Sequence, residues 1–460
     1  MKKRFDYDVV VIGSGSAGFA AARTAAGLGA RTAVIEAARE IAGLCILRGC
    51  MPSKTLLASS NRLHAIRAAG EFGIEGARGS PNLSKIVARK RRLVREFADY
   101  REKQIRTGHF DFIRGRPEFL DRHTVSLQRG EKISAKSFII CTGSRIAWHP
   151  FEGLDKVDSM DSDAALNRTR LPRTLAVLGC GPVALELGQY FSRLGSQVTL
   201  LQRSQHLLSK FDFDLSVCLR ESFEREGIRV ITGVRLKKFE RRKKKMVHFL
   251  KGHRRQKLDA DEILYALGRV PNTAGLGLKK IGVRLRSAAI MVDQTMRSSV
   301  PNIFAAGDVN GQHEVVHIAI QQGELAARNA AGNAREKFDE RALTLAVFTE
   351  PQIATVGRSE RSLKGKKFIT AKYPFSDHGK SIVIGETAGF VKIIAEPPRG
   401  KILGAQCIGP EASDLIHEMI ALIHMGATVF DVLKMPHYHP TLAEIWSCPA
   451  EEIAGKISAR

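Results

Sequence analysis

The chain has 460 residues, 44% of them apolar, and its Lys and Arg exceed its Asp and Glu by 25. At about 100–200 residues per domain this is roughly three or four domains, each able to bury a core, and no run approaches the ~18 apolar residues of a membrane span. The seven cysteines (45, 50, 141, 180, 218, 407 and 448) are odd in number and mostly scattered, which excludes a secreted disulfide framework.

The basic start Met1-Lys2-Lys3-Arg4 is followed by Phe5-Asp6-Tyr7-Asp8 and only five apolar residues before Gly13. That is too short and too polar for a signal peptide, so a cytoplasmic protein without membrane contact is expected. The positive surface attracts anions, including acidic proteins and phosphate-bearing cofactors. Its clusters at Arg89–Arg92 and Arg241–Lys245 read as solvated stretches, the second as a turn between strands. No aromatic residues interleave with them, so no nucleic-acid partner is expected.

In chain order, the first element is the strand Val9-Val10-Val11-Ile12, leading into Gly13-Ser14-Gly15-Ser16-Ala17-Gly18, a small-residue helix, Gly29 and the strand Thr32–Glu36. The pattern recurs as Leu175-Ala176-Val177-Leu178, Gly179-Cys180-Gly181-Pro182-Val183-Ala184, a helix, Gly195 and Val198–Gln202. The first glycine and the helix-ending glycine are 16 residues apart in both copies, and the second strand ends 23 residues on in both. Such a strand–turn–helix–strand unit suits a dinucleotide. The first glycine makes the turn, the second admits the pyrophosphate, the third position must be small, and the helix N-terminus faces the phosphates. Two plain βαβ units are the alternative.

Glu36 ends its strand as an acceptor for ribose hydroxyls. The second copy ends in Gln202-Arg203. Gln202 removes the charge that would repel a 2′-phosphate and Arg203 adds an attraction, which leans towards NADP over NAD unless Arg203 is merely solvated.

Between the copies, Lys85–Arg106 reads as a long amphipathic helix with Ile86, Leu93, Phe97, Tyr100 and Ile105 on or near one face. Ile133–Gly143 reads as strand, strand, turn. Later, Ile303–Ala306 is a buried strand ending at Gly307-Asp308, followed by the helix His317–Ala331. Beyond about residue 341 come strands Leu343–Phe348, Phe390–Ala395 and Ile402–Ile408 and helices Leu415–His424 and Val429–Met435, a separate α+β domain.

Two stretches carry candidate chemistry. Cys45-Ile46-Leu47-Arg48-Gly49-Cys50-Met51-Pro52-Ser53-Lys54 closes a small loop if one cysteine opens a helical turn, where the helix N-terminus stabilises a thiolate. From spacing alone the pair is redox-active, structural, or half of a zinc site. Zinc needs a second pair, which is not evident, and no metal site is expected. Near the end, His437-Tyr438-His439-Pro440-Thr441-Leu442-Ala443-Glu444 places a carboxylate five residues after His439 as an oriented acid–base pair, although an HxH is commonly a surface loop.

These motifs together resemble the class I pyridine nucleotide–disulfide oxidoreductases, which include dihydrolipoyl dehydrogenase, glutathione reductase and mercuric reductase. The resemblance runs through nearly the whole chain: the FAD fingerprint Gly13 to Gly18 with Glu36, the redox motif Cys45 to Lys54, Thr142-Gly143-Ser144, the nicotinamide fingerprint Gly179 to Gln202, Gly268-Arg269-Val270-Pro271-Asn272-Thr273, Ala306-Gly307-Asp308-Val309, and His439-Pro440-Thr441 with Glu444. It implies two Rossmann-like dinucleotide-binding domains, for FAD and NAD(P), and a C-terminal α+β dimerisation domain. The segments would be 1–146 and 267–340 for FAD, 147–266 for NAD(P) and 341–460 for dimerisation.

It also implies roles. Cys45 would be the interchange thiol and Cys50 the charge-transfer thiol against the flavin. Lys54 would sit near the flavin and pair with Glu186. Asp308 would bind the ribityl chain. His439, held by Glu444, would be the base serving Cys45 of the other subunit of an obligate homodimer, and His439-Pro440 is a candidate cis bond.

Pro52-Ser53-Lys54 follows the second cysteine as in dihydrolipoyl dehydrogenases and mercuric reductases, where glutathione-type members usually carry Pro-Lys-Lys. The vicinal cysteine tail of mercuric reductases is lacking; only Cys448 lies near the end. Dihydrolipoyl dehydrogenase fits best, acting on a lipoyl-bearing carrier protein or a small dithiol or disulfide, with a mercuric-reductase-like or other NADPH-dependent disulfide reductase as the alternative. A non-catalytic flavin scaffold would need none of Cys45, Cys50, Lys54, Glu186, His439 or Glu444. Three departures stand out: Ala42 and Leu44 where the family has Gly-Gly-Thr over residues 42–44, and Leu47 for a usual Asn. Gln202 is a fourth, in place of the acid of an NAD-linked lipoamide enzyme.

Overall fold

The structure, a computed structural model, describes residues 4–128, 130–332 and 334–459. The basic residues Lys2 and Lys3 at the start lie outside the described residues. Two compact units divide the chain. One comprises Met1–Ser53, Ala88–Trp148 and Gly268–Phe338, the other Lys54–Val87, His149–Leu267 and Asp339–Arg460.

The first unit is built on a sheet in which Tyr7–Ile12 pairs in parallel with Thr32–Glu36 on one side and Lys132–Ile140 on the other. Both neighbours are dictated by apolar runs buried on two faces: Val9, Val10 and Val11 are fully buried. The stretch expected to hold two strands is one, Lys132–Ile140. No turn residue interrupts it. Its first half pairs antiparallel with Thr124–Leu127 and its second half parallel with Ile303–Ala305. Against the sheet lie the helices Ser16–Gly27 and Val316–Ala331, whose small faces meet so closely that a Cβ on Gly323 would stand 2.3 Å from the Ala17 carbonyl oxygen.

The second unit contains a parallel sheet in the order Arg229–Ile231, Gln197–Leu201, Thr174–Leu178, Glu262–Tyr265, crossed by the helix Pro182–Leu194. An antiparallel meander, Val234–Arg241, Lys245–Lys251 and Arg254–Ala260, follows the third strand. The basic cluster sits at its first turn as expected, except that Lys245 is buried and paired with Glu262 and the Asp158 carbonyl. The C-terminal part is a five-stranded antiparallel sheet covered by Ala412–Met425 and Ser447–Ser458. Its strand Phe390–Ala395 carries a fully buried Lys392, matched by Asp212 and Asp214.

The long helix runs Leu83–Arg106. Ile105 is buried, but Phe97 and Tyr100, expected on the apolar face, are exposed. Among the described residues no helix is long and apolar enough to cross a membrane.

Candidate active site

The two glycine turns have the same geometry. Gly13 and Gly179 take φ of 101° and 97°, and a Cβ on either would strike a carbonyl oxygen of the adjoining segment, Cys141 at 2.5 Å or Ala266 at 2.6 Å. Gly18 is closed to any side chain, since its Cβ would lie 1.8 Å from the Gly13 oxygen; Ala184 occupies the matching place and is fully buried. At the second glycines, Gly15 and Gly181, the helix starts carry no side-chain cap; the space at Gly181 is open, and that at Gly15 meets only the Gly43 α-carbon, at 3.9 Å. The first-turn amides are therefore available to phosphate oxygens.

Glu36 does more than the sequence suggested. Its Oε2 accepts both the amide and the hydroxyl of buried Ser14 at 2.8 Å, and its Oε1 accepts the Ala38 amide at 2.7 Å. The carboxylate thus braces the glycine turn and still has lone pairs for ribose hydroxyls. In the second copy Gln202 lies just beyond its strand, buried, its amide donating to the His206 oxygen at 3.1 Å, while Arg203 is exposed.

Three separate motifs of the first unit converge. Ser144 donates to Asp308 at 2.6 Å, and Arg269 donates to both the hydroxyl and the carbonyl of Ser144 at 2.8 Å. Thr142 and Asn272 exchange hydrogen bonds, and Asn272 N–H reaches the Gly143 oxygen. Gly268 (φ 112°) and Gly307 (φ 76°) supply the left-handed turns on either side. Ser144, Arg269 and Asn272 as partners were not foreseen, because their mates lie more than a hundred residues away.

The redox segment folds as two helices, Gly43–Arg48 and Cys50–Ala68, so Cys50 does open a helix. Gly49 turns the chain tightly, with room for a Cβ only 3.2 Å from the Cys45 α-carbon. Cys45 and Cys50 are half-buried. The buried thiols contrast with them: burial pushes Cys141 up to about 12 and raises Cys180 and Cys407 further. Arg101, another residue the sequence reading missed, stacks over Phe19 at 4.3 Å; burial lowers its guanidinium pKa, and charge at Cys45 opposes that shift.

Two pairs belong to the second unit. Lys54 Nζ donates to Glu186 Oε2 at 2.7 Å, and the other Glu186 oxygen accepts the Phe348 amide at 3.1 Å. His439 Nδ1 lies 2.9 Å from Glu444 Oε2, after a cis His439–Pro440 bond. Burial raises the Glu444 pKa, but His439, the Thr441 amide and His378 outweigh it and hold the group below its ordinary value. The neighbouring His437 is drawn elsewhere, to Glu418 at 3.0 Å, so the HxH is split between two carboxylates.

The family model for pyridine nucleotide–disulphide oxidoreductases matches residues 7–323, and that for their dimerisation domain matches 344–448. The chain belongs to this family. Among its relatives, the dihydrolipoyl dehydrogenase of Geobacillus stearothermophilus is 33% identical, covering 97% of this chain and 96% of its own. The mercuric reductase of Staphylococcus aureus is 34% identical over 95% of this chain and 81% of its own. An HOCl-induced flavoprotein disulfide reductase from Escherichia coli shares the fold at TM-score 0.85 and 24% identity, over 97% of this chain and 99% of that one. As a pyridine nucleotide–disulfide oxidoreductase the protein is a flavoprotein with FAD and NAD(P) as cofactors and two Rossmann-like domains followed by a dimerisation domain. The uncapped turns at Gly15 and Gly181, where a Cβ would stand in front of the helix start, and the braced Glu36 fit those cofactors.

Proposed function

We propose that the protein oxidises dihydrolipoamide on a lipoyl-bearing carrier protein, or a related small dithiol, and passes the electrons to NAD(P). The observation that carries this reading is the His439–Glu444 pair at 2.9 Å, with His439 exposed and Glu444 largely enclosed. An exposed imidazole backed by a carboxylate is suited to take a proton from an incoming thiol.

His439 removes that proton through Nε2, and Glu444 stabilises the imidazolium. The substrate thiolate attacks Cys45 of the Cys45–Cys50 disulfide, expelling Cys50 as a thiolate that the start of the helix Cys50–Ala68 favours. The second substrate thiol then releases the oxidised substrate and leaves Cys45 reduced. FAD, when bound, would supply the two-electron chemistry that links the reduced cysteine pair to the nicotinamide. Gly13, Gly15, Gly18, Glu36, Thr142, Gly143, Gly268, Gly307 and Asp308 hold FAD, with Lys54 and Glu186 beside it. Gly179, Gly181, Gln202 and Arg203 hold NAD(P). The proposed segments are 1–146 and 267–340 for FAD, 147–266 for NAD(P) and 341–460 for a homodimer in which His439 serves Cys45 of the other copy.

Gln202 favours a second reading, an NADPH-dependent reductase of a disulfide or of mercuric ion, in keeping with the mercuric reductase relative. Anaerobic titration with dihydrolipoamide separates the two. A long-wavelength absorbance that Cys50→Ser abolishes, followed by reoxidation with NAD or NADP, supports the lipoamide reading. A spectrum unchanged by dihydrolipoamide but bleached by NADPH rejects it in favour of the reductase.

A further inference from the structure

Glu444 faces two imidazoles. Its Oε2 meets His439, while its Oε1, which also takes the Thr441 amide at 3.3 Å, lies 3.5 Å from Nε2 of His378. The two histidines differ in setting: the His439 side chain is 78% exposed, that of His378 only 5%. His378 precedes the short helix Gly379–Val383, and its Nδ1 lies 2.9 Å from the hydroxyl of Ser381, which is fully buried.

The Ser381 contact suits either tautomer, and the carboxylate on the other side of the ring selects between them. A serine hydroxyl has one proton to donate. If Ser381 donates it to Nδ1, the ring proton sits on Nε2 and points at Glu444. In the other tautomer a bare Nε2 lone pair would face a carboxylate oxygen in a buried place, where an acceptor without a donor is costly.

We propose that His378 is a positioning residue for the His439–Glu444 pair: a buried, neutral N–H that holds the carboxylate in register and withdraws part of its charge from His439. This deepens the proposed acid–base reading and rests on it. Burial keeps the His378 pKa below the ordinary imidazole value, with Glu444 opposing, and among the described residues its buried Nε2 has no hydrogen-bond partner nearer than the 3.5 Å approach to Glu444 Oε1, the one polar group it faces. Two further groups beside the pair, Tyr373 and Cys448, stay uncharged near pH 7. Burial raises Tyr373, and burial, then Glu451 and Glu444, raise Cys448 against Ser447. Asp377 is exposed and takes the Ser376 hydroxyl. A carboxylate with a donor on its second oxygen attracts the proton of His439 less strongly.

The test uses the oxidised full-length holoenzyme with ε-13C histidine, following the His439 resonance against pH, alongside kcat and KM for dihydrolipoamide. His378→Phe should displace the His439 resonance-against-pH curve to higher pH and lower kcat with KM little changed. His378→Gln, which keeps an N–H near the place of Nε2, should stay near wild type, and Ser381→Ala should move the same way as His378→Phe but less. Equal displacement in the Phe and Gln variants would reduce His378 to packing and overturn the proposal, as would no displacement in either. If His378→Phe loses FAD or fails to fold, the comparison of Ser381→Ala with His378→Gln still decides. The underlying reading fails separately, if His439→Gln turns over dihydrolipoamide as fast as wild type.

Discussion

Gly43 sets its α-carbon against that of Gly15, so closely that a Cβ on Gly43 would lie 2.6 Å away. The start of the redox segment thereby rests on the glycine turn proposed to receive the FAD pyrophosphate. Gly43 also has φ of 74°, a left-handed value that favours glycine. Gly43→Ala is expected to push the turn aside and to yield protein that loses most of its yellow colour on gel filtration, while far-ultraviolet dichroism changes little. Retention of stoichiometric FAD would show that the contact yields without harm to the cradle.

Ala42 precedes it with φ of 127° and is fully buried. A side chain in that conformation is strained by about 1–3 kcal/mol. Ala42→Gly should therefore raise stability by about 1 kcal/mol, less than the strain released because glycine gains freedom in the unfolded chain. Urea unfolding of the holoenzyme measures it. A lower midpoint would mean that the Ala42 methyl packs better than its backbone suggests.

Periodicity made Thr32–Glu36 and Phe390–Ala395 legible to the residue, and the repeated glycine spacing located the two matching glycine turns at Gly13 and Gly179. What failed was long-range pairing. A single run such as Lys132–Ile140 looks like two strands because nothing local reveals that two different partners share it. Lys392 reads as an ordinary strand residue until Asp212 and Asp214 are brought beside it. His378 likewise carries no motif. Only folding sets it against Glu444, whereas His439 was findable because its carboxylate follows five residues later.

Lys54 and Glu186 illustrate the same limit energetically. Glu186 is almost fully buried, and Lys54 also covers the Phe348 ring at 4.4 Å. Lys54→Met leaves the carboxylate with the Phe348 amide alone and should destabilise by about 2 kcal/mol, below the usual loss for a buried pair because Lys54 is a third exposed. Adding Glu186→Leu should recover part of that loss in a double-mutant cycle. Strict additivity of the two changes would show that the ion pair itself contributes little.

Glu350 gives stability a definite pH dependence. Burial lifts its carboxyl from 4.5 to about 7, against Arg193, and its Oε1 accepts from Asn61 at 3.0 Å. The folded state therefore holds a proton that the unfolded chain releases from about pH 4.5 upward. Its contribution is intact below pH 4.5 and is lost progressively up to about pH 7, a change of about 3 kcal/mol. Glu350→Gln keeps the acceptor and removes the titration. It should match wild type at pH 4.5 and exceed it by about 3 kcal/mol at pH 8 in urea melts; parallel curves at both pH values would place the titration elsewhere.

Gln202 offers the sharpest reading of coenzyme choice, because it is buried at the end of the second nucleotide unit with its amide turned to the His206 oxygen. A carboxylate there would repel a 2′-phosphate and accept a ribose hydroxyl instead. Gln202→Glu should lower kcat/KM for the NADP couple by about tenfold or more while leaving the NAD couple equal or improved, and Arg203→Ala should lower the NADP value alone. Stopped-flow reduction of the flavoprotein by NADH and NADPH reads this without any disulfide substrate. If Gln202→Glu weakens both nucleotides equally, position 202 serves the fold of the turn and the preference must be set by other residues around it.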